Sequence, residues 1–250
     1  MDLLPVEIKV DIEGDATGAM SALGASQRLL TTRRIWFAED RDGVARGAVP
    51  LLDSGVIVRF RTGGGPDELV VKLRPCTRDQ LVGRFSAAFD AEPLTYKIEG
   101  DWTRNGRVLA ASLAHRHPPG TLAAVLGPGA DPAGPIDPVQ DQFLHACKPD
   151  VPLDGLVALG PILSTKADDV PLGDLEVDLE DWSVAGLRFL EASLRVKPKD
   201  GDDAEEFDER VGRRLDRLEA ELLDRGLTPS PLPAGKTHRV LTALTAAAHG

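Results

Sequence analysis

Six stretches of this chain, residues 6–12, 56–61, 69–74, 94–101, 172–180 and 190–197, alternate charged and apolar side chains with a period of two. Successive side chains of a strand point to opposite faces, so each stretch reads as a half-buried β-strand with one charged face. In the first, Val6, Ile8, Val10 and Ile12 alternate with Glu7, Lys9 and Asp11. Six such strands can be arranged in two ways. An antiparallel sheet can turn every charge to water. A closed or nearly closed barrel can instead hold the charges in a wet interior and bury its apolar outside under helices. The second arrangement needs helices with long apolar stripes, and the chain supplies them.

The most distinctive pair is Val56 to Arg74. Arg59 and Arg61 share one face of the first strand, opposite Val58 and Phe60; Lys72 and Arg74 share one face of the second, opposite Leu69, Val71 and Leu73. Thr62-Gly63-Gly64-Gly65-Pro66-Asp67 supplies the residues of a hairpin connection, since glycine reaches positive φ at no steric cost and proline stops the ladder. If the strands pair, four cations lie on one surface.

Elsewhere the spacing predicts a short helix within Ala16 to Leu30, a strand over Arg33 to Ala38, and a helix over Thr77 to Phe89 with Leu81, Val82, Phe85 and Phe89 as its stripe. Periodicity leaves Arg107 to Ala114 open between helix and strand. Pro118 to Val139 reads as loops around a turn at Leu122 to Leu126, and Leu156 to Lys166 as an apolar strand that Gly160-Pro161 confines to an edge, a start or a bulge. Leu172 to Trp182 puts Glu176, Asp178 and Glu180 on one face; Phe189 to Lys197 does the same with Glu191, Ser193, Arg195 and Lys197. Ala204 to Arg225 is an amphipathic helix striped by Phe207, Val211, Leu215, Leu218 and Leu222, with Gly226 placed to end it. A connector over Thr228 to Pro233 leads to a terminal helix over Lys236 to Ala248. The whole of 1–250 is expected to be a single domain, with 227–250 as connector and short helix.

A formal net charge of −11 argues against a general nucleic-acid coat and against an anionic membrane surface, so any polyanion site must be local. The two cysteines, Cys76 and Cys147, form no CxxC pair, which argues against a disulfide framework and a cysteine zinc cluster. There is no basic region followed by an apolar core, and no run approaches the ~18 apolar residues of a membrane span. The expectation is a cytoplasmic protein with no nucleic-acid and no membrane partner. The oligomeric state is not legible.

Other constellations are weaker. His115-Arg116-His117 offers two histidines for zinc with no identifiable third ligand. His145 and Cys147, two apart on a helix, point in different directions and make no nucleophile pair. Gly63-Gly64-Gly65 lacks the following lysine and hydroxyl of a P-loop. Lys236-Thr237-His238-Arg239 reads as a helix surface.

Taken in order, Glu7-Ile8-Lys9-Val10-Asp11, Arg59-Phe60-Arg61, Lys72-Leu73-Arg74, Gly160-Pro161 with Lys166, Gly186-Leu187-Arg188-Phe189-Leu190-Glu191-Ala192-Ser193 and Gly235-Lys236-Thr237 resemble the motifs of the CYTH superfamily, the triphosphate tunnel metalloenzymes. The resemblance covers most of the chain. It implies an α+β fold, an eight-stranded antiparallel barrel with covering helices and a C-terminal helix. It further implies a small triphosphate or inorganic polyphosphate bound by Arg59, Arg61, Lys72, Arg74, Lys166 and Lys9. Mg²⁺ or Mn²⁺ would be held by Glu7 and Glu191, with Glu176 or Asp178 as further ligands. No catalytic residue is assigned. Guanidinium forks suit phosphate oxygens, and hard cations prefer carboxylates. The implied activity is a triphosphatase-like hydrolysis; a non-catalytic polyphosphate- or nucleotide-binding module and an adenylate cyclase are the alternatives. Three positions depart from the family pattern, because Lys9 and Ser193 stand where it has glutamates and Asp11 where it has a lysine.

Overall fold

The structure, a computed structural model, describes residues 3–25, 28–231 and 235–247. In chain order its elements are β1 (Val6–Ile12), α1 (Ala16–Ala22), β2 (Leu30–Asp40), α2 (Arg41–Val44), α3 (Pro50–Asp53), β3 (Val56–Thr62), β4 (Asp67–Cys76), β5 (Phe89–Ala91), β6 (Leu94–Thr103) and β7 (Gly106–His117), followed by α4 (Pro138–Cys147), β8 (Leu156–Leu172), β9 (Leu175–Val184), β10 (Leu187–Val196), α5 (Ala204–Asp224) and α6 (Lys236–Ala247). Hydrogen-bonded neighbours run β1-β10-β9-β8-β2-β3-β4-β7-β6, and β6 returns to β1. Nine strands thus close a β-barrel, with the three-residue β5 paired to β6 outside the ring. The expected ring of eight antiparallel strands is corrected in count and in one pairing: β1 and β6 are parallel, with Glu7 opposite Asp101. An odd ring cannot alternate direction all the way round, so at least one neighbouring pair must run parallel.

Two compact units divide the chain: one holds 1–32, 99–108 and 164–236, the other 33–98, 109–163 and 237–250. In the first, the stripe Phe207, Val211, Leu215, Leu218 and Leu222 of α5 and the residues Ala16, Ala19 and Met20 of α1 share one core with the apolar faces of β1, β9 and β10. Asp203 caps α5 by accepting from the Glu206 amide, and Gly226, at φ +73, follows its last turn. Because helices cover the apolar faces of β1, β9 and β10, their charged residues lie on the opposite strand face. The covered-outside arrangement is therefore the one adopted here. Each Val, Leu, Ile, Phe or Met buried in this core contributes roughly 1.5–3 kcal/mol of transfer free energy.

In the second unit Val58, Phe60, Leu69 and Val71 are fully buried. The buried Gln140 of α4 donates from Nε2 to the carbonyls of Leu69 and Leu113, at 3.0 and 2.9 Å, and so ties that helix to β4 and β7. Phe143 of α4 packs edge-on against Tyr96 with ring centroids 5.3 Å apart.

Several expectations are corrected. Residues 77–89 form no helix but two short 3₁₀ turns, Arg78–Gln80 and Gly83–Ser86, before β5. Leu81 and Val82 are extended between them and Gly83 takes φ +58, so the apolar spacing buries Leu81 and Phe85 without a continuous helix. Residues 107–114 are strand. The first helix stops at Ala22, and residues 26 and 27 lie outside the described residues. The apolar run from Leu156 continues as a strand to Leu172, through Gly160-Pro161. Glycine is required there, since a Cβ at residue 160 would stand 2.8 Å from the Ile35 carbonyl oxygen and 2.8 Å from Trp36 Cδ1. The connector over 228–233 lies partly outside the described residues, as does Ala248. Among the described residues no helix is long and apolar enough to cross a membrane.

Candidate functional site

The basic hairpin is built by register. Arg59 pairs with Val70, Arg61 with Glu68, and Ile57 with Lys72, so Arg59, Arg61, Glu68, Lys72 and Arg74 belong to one face of β3 and β4. All five are half-buried. Arg61 Nη1 lies 3.3 Å from Glu68 Oε1. Burial alone would raise the Glu68 carboxyl, but the guanidinium groups of Arg61, Arg59 and Arg33 outweigh it and hold the group below the usual carboxylate range. Three guanidinium groups thus act on one carboxylate. Arg33, at the start of the β2 segment beside β3, carries no motif of its own in the sequence; only the pairing of β2 with β3 brings it to this face.

The acidic residues gather in the other unit. Glu7 lies opposite Asp101 of β6 and Arg195 of β10, Lys9 opposite Ser193, and Asp11 opposite Glu191. Glu7, Glu99 and Asp101 bring carboxylate oxygens within 4.8 Å of one another, and Glu99 and Asp101 are buried. Three hard oxygen donors at that spacing have the chemistry to hold a divalent cation. Lys9, however, lies among them, its Nζ 2.8 Å from Glu7 Oε2 and 3.0 Å from Asp101 Oδ1, and Arg195 Nη2 is 2.7 Å from Glu99 Oε2. Burial works against the Lys9 ammonium, but Glu7, Asp101 and Glu191 more than offset it and hold its pKa above the ordinary lysine value.

The remaining acidic candidates are also met by lysines. Lys236 is buried, not on a helix surface as its sequence suggested, with Nζ 3.0 Å from Glu180, 3.2 Å from Glu191 and 4.2 Å from the centre of the Trp182 ring. Burial opposes its charge, and Glu180, Glu191 and Asp11 hold the pKa above the ordinary value all the same. Lys166 Nζ is 2.8 Å from Asp178 and 2.5 Å from Asp168. Glu176 is exposed. The structure therefore groups Glu7 with Glu99 and Asp101, while Glu191 and Asp178 each carry a lysine of their own. Glu99 and Asp101 alternate with Ile98 and Gly100 in the sequence, yet only the parallel β1–β6 pairing sets them beside Glu7.

The histidine pair lies on β7 with ring centroids 4.0 Å apart, and His115 Nδ1 is 3.8 Å from Asp137. Burial, and then His115, push His117 below the usual imidazole value. Among the described residues the one trio of His, Cys, Asp or Glu ligand atoms within 4.8 Å is the carboxylate set around Lys9. On α4, Cys147 is buried and His145 exposed, as their spacing requires.

No protein-family model matches the chain, and no curated protein matches it significantly. Solved structures do. A Hippeastrum protein, described as a candidate adenylyl cyclase with a dominant triphosphatase activity, superposes with a TM-score of 0.58 over 94% of this chain and 94% of its own, at 15% identity. A candidate adenylate cyclase from Bacillus halodurans does so with a TM-score of 0.55 over 94% of this chain and 96% of its own, at 14% identity. At such identities the likeness speaks to architecture alone: this chain has the closed-barrel fold of these two solved proteins.

Proposed function

We propose that the chain binds a small triphosphate or inorganic polyphosphate through the face made by Arg59, Arg61, Lys72 and Arg74, with Arg33 beside it. The observation that carries this reading is the shared, half-buried face of Arg59, Arg61, Lys72 and Arg74, on which Arg61 lies 3.3 Å from the Glu68 carboxylate. That carboxylate stands where an anionic oxygen is stabilised, and a phosphate group would compete with it for Arg61. Guanidinium pairs with phosphate through parallel N–H donors, which gives both strength and orientation. Fold likeness to the Hippeastrum protein supports a second reading, in which the bound phosphoanhydride is hydrolysed. In that reaction water adds at phosphorus, the bridging P–O bond breaks, and cationic side chains stabilise the departing phosphate.

Titration with tripolyphosphate tests the binding. Arg61→Ala should weaken it and Glu68→Gln should strengthen it, because one removes a donor and the other removes the internal competitor. Equal affinities across wild type and both variants would reject the assignment. Phosphate release, and cyclic nucleotide formation from ATP, assayed on the same protein separate hydrolase, cyclase and simple binder.

A further inference from the structure

The three carboxylates around Lys9 are a poor vacancy for a divalent ion. Glu7 and Asp101 each lie within 3.0 Å of the Lys9 ammonium, and Glu99 is met by Arg195 at 2.7 Å, so every member of the set has a cationic partner. Mg²⁺ requires oxygen ligands at about 2.0–2.1 Å in near-octahedral array, and an ammonium has no lone pair to offer it. An ion bonded to Glu7 and Asp101 together would sit against a like charge in partly buried surroundings, where repulsion is poorly screened. Nor is Lys9 easily displaced. Its backbone is held in the ladder of β1 to β10, opposite Ser193, and its side chain is 18% exposed. Ser193, across the ladder from Lys9, brings no compensating carboxylate.

We propose that Lys9 is the resident cation of this cluster: it neutralises the carboxylates in place of a divalent metal, excludes one, and makes ligand binding by the chain independent of divalent metal there. The last part rests on the polyphosphate reading; the exclusion of metal does not. A tethered ammonium cannot be chelated or exchanged, so the charge balance of the cluster is set by folding and not by the ion supply. The chemistry differs too. An ammonium donates hydrogen bonds and neutralises one charge, whereas a divalent ion neutralises two and polarises bound water.

The test is to count free Mn²⁺ by electron paramagnetic resonance while metal-free protein is titrated. Wild type should take up no Mn²⁺ below ~1 mM, while Lys9→Gln should bind one ion at least ~10-fold more tightly, as removal of a close like charge in partly buried surroundings requires. Adding Glu7→Gln to that variant should abolish the gain, and Lys9→Arg, which keeps the charge, should behave as wild type. The proposal is overturned if wild type binds one Mn²⁺ in the micromolar range and Glu7→Gln removes it, or if folded Lys9→Gln gains nothing. Should Lys9→Gln fail to fold, the wild-type and Glu7→Gln titrations decide alone. Tripolyphosphate affinity, measured with and without a chelator, should be the same; loss on chelation refutes metal independence. Failure to bind tripolyphosphate in either buffer rejects the polyphosphate reading and the independence built on it, while the Mn²⁺ count still decides the exclusion.

Discussion

Replacing Lys236 with methionine isolates what a buried ammonium does for the acidic side of the barrel. The Lys236, Glu180 and Glu191 side chains are only 6%, 15% and 14% exposed, and Nζ lies 3.0 and 3.2 Å from the two carboxylates. Methionine keeps an unbranched chain against Trp182, so the change removes charge more than volume. It leaves two carboxylates facing each other with their shared cation gone. Removing one partner of a buried pair costs about 3–5 kcal/mol. At ~2–4 °C per kcal/mol for a chain of this size, the melting temperature at pH 7.5 should fall by roughly 6–20 °C. The pH dependence carries the sharper signature. In wild type the raised Lys236 pKa contributes stability that is complete below the unfolded lysine value near ~10.4, so it is constant between pH 5 and 7.5. In the variant one of the two glutamates should bind a proton more readily folded than unfolded, a raised carboxyl pKa whose penalty grows as pH rises above ~4.3. The deficit relative to wild type should therefore shrink from pH 7.5 to pH 5. Thermal denaturation followed by circular dichroism at both values reads it directly. A variant melting within ~2 °C of wild type at pH 7.5, or a deficit that widens on acidification, would refute the reasoning.

Arg61→Ala should weaken tripolyphosphate binding by ~2–5 kcal/mol, whereas Arg213→Ala, at a side chain 67% exposed on α5, should change it by well under ~1, and calorimetric titration compares them. Gly160→Ala should destabilise the fold by ~1–3 kcal/mol, since the new Cβ meets the Ile35 carbonyl at 2.8 Å and φ is +147; an unchanged denaturant midpoint would show that β2 yields at no cost. Burial and His115 hold His117 below the ordinary imidazole value, so its contribution is present above ~6.5 and is lost as pH falls from there through the lower folded-state value. His117→Gln should accordingly flatten the stability profile between pH 7 and 5, and a profile parallel to wild type would remove His117 from the account.

What could be read in advance was whatever depends on neighbours along the chain. Arg59, Arg61, Lys72 and Arg74 share a face because a short glycine turn fixes the register of one hairpin, and the stripe of α5 needs only its own periodicity. The acidic cluster was only half legible. Glu7 announces itself by alternation, but its companions Glu99 and Asp101 arrive through a parallel pairing that no local pattern encodes. Lys236 looked like surface for the same reason, since the carboxylates that bury it come from β9 and β10. The start of α4 falls inside the stretch that reads as loop, although its signal is present: Asp137 caps the helix, Pro138 occupies the first turn and Gln140 completes a capping box. Over 77–89 the error ran the other way, because apolar spacing outweighed a glycine that the backbone uses at positive φ.

The partners of β1 also order events in time. Val6 pairs with Val196 and Ile12 with Leu190, so the longest ladder of the first strand can form only after the last strand has been made. At ~5–20 residues per second of synthesis, β1 spends on the order of ten seconds or more outside the ribosome before β10 follows. During that interval its alternating Val6, Ile8, Val10 and Ile12 have the short pairing to β6 as their one strand partner, and α5, which covers them, does not yet exist. Ring closure is thus a late, long-range step, of the kind that makes β-rich chains slow to fold. A chain interrupted before residue 187 would be left with an exposed, adhesive first strand, which makes the interval before β10 and α5 emerge the period of greatest aggregation risk.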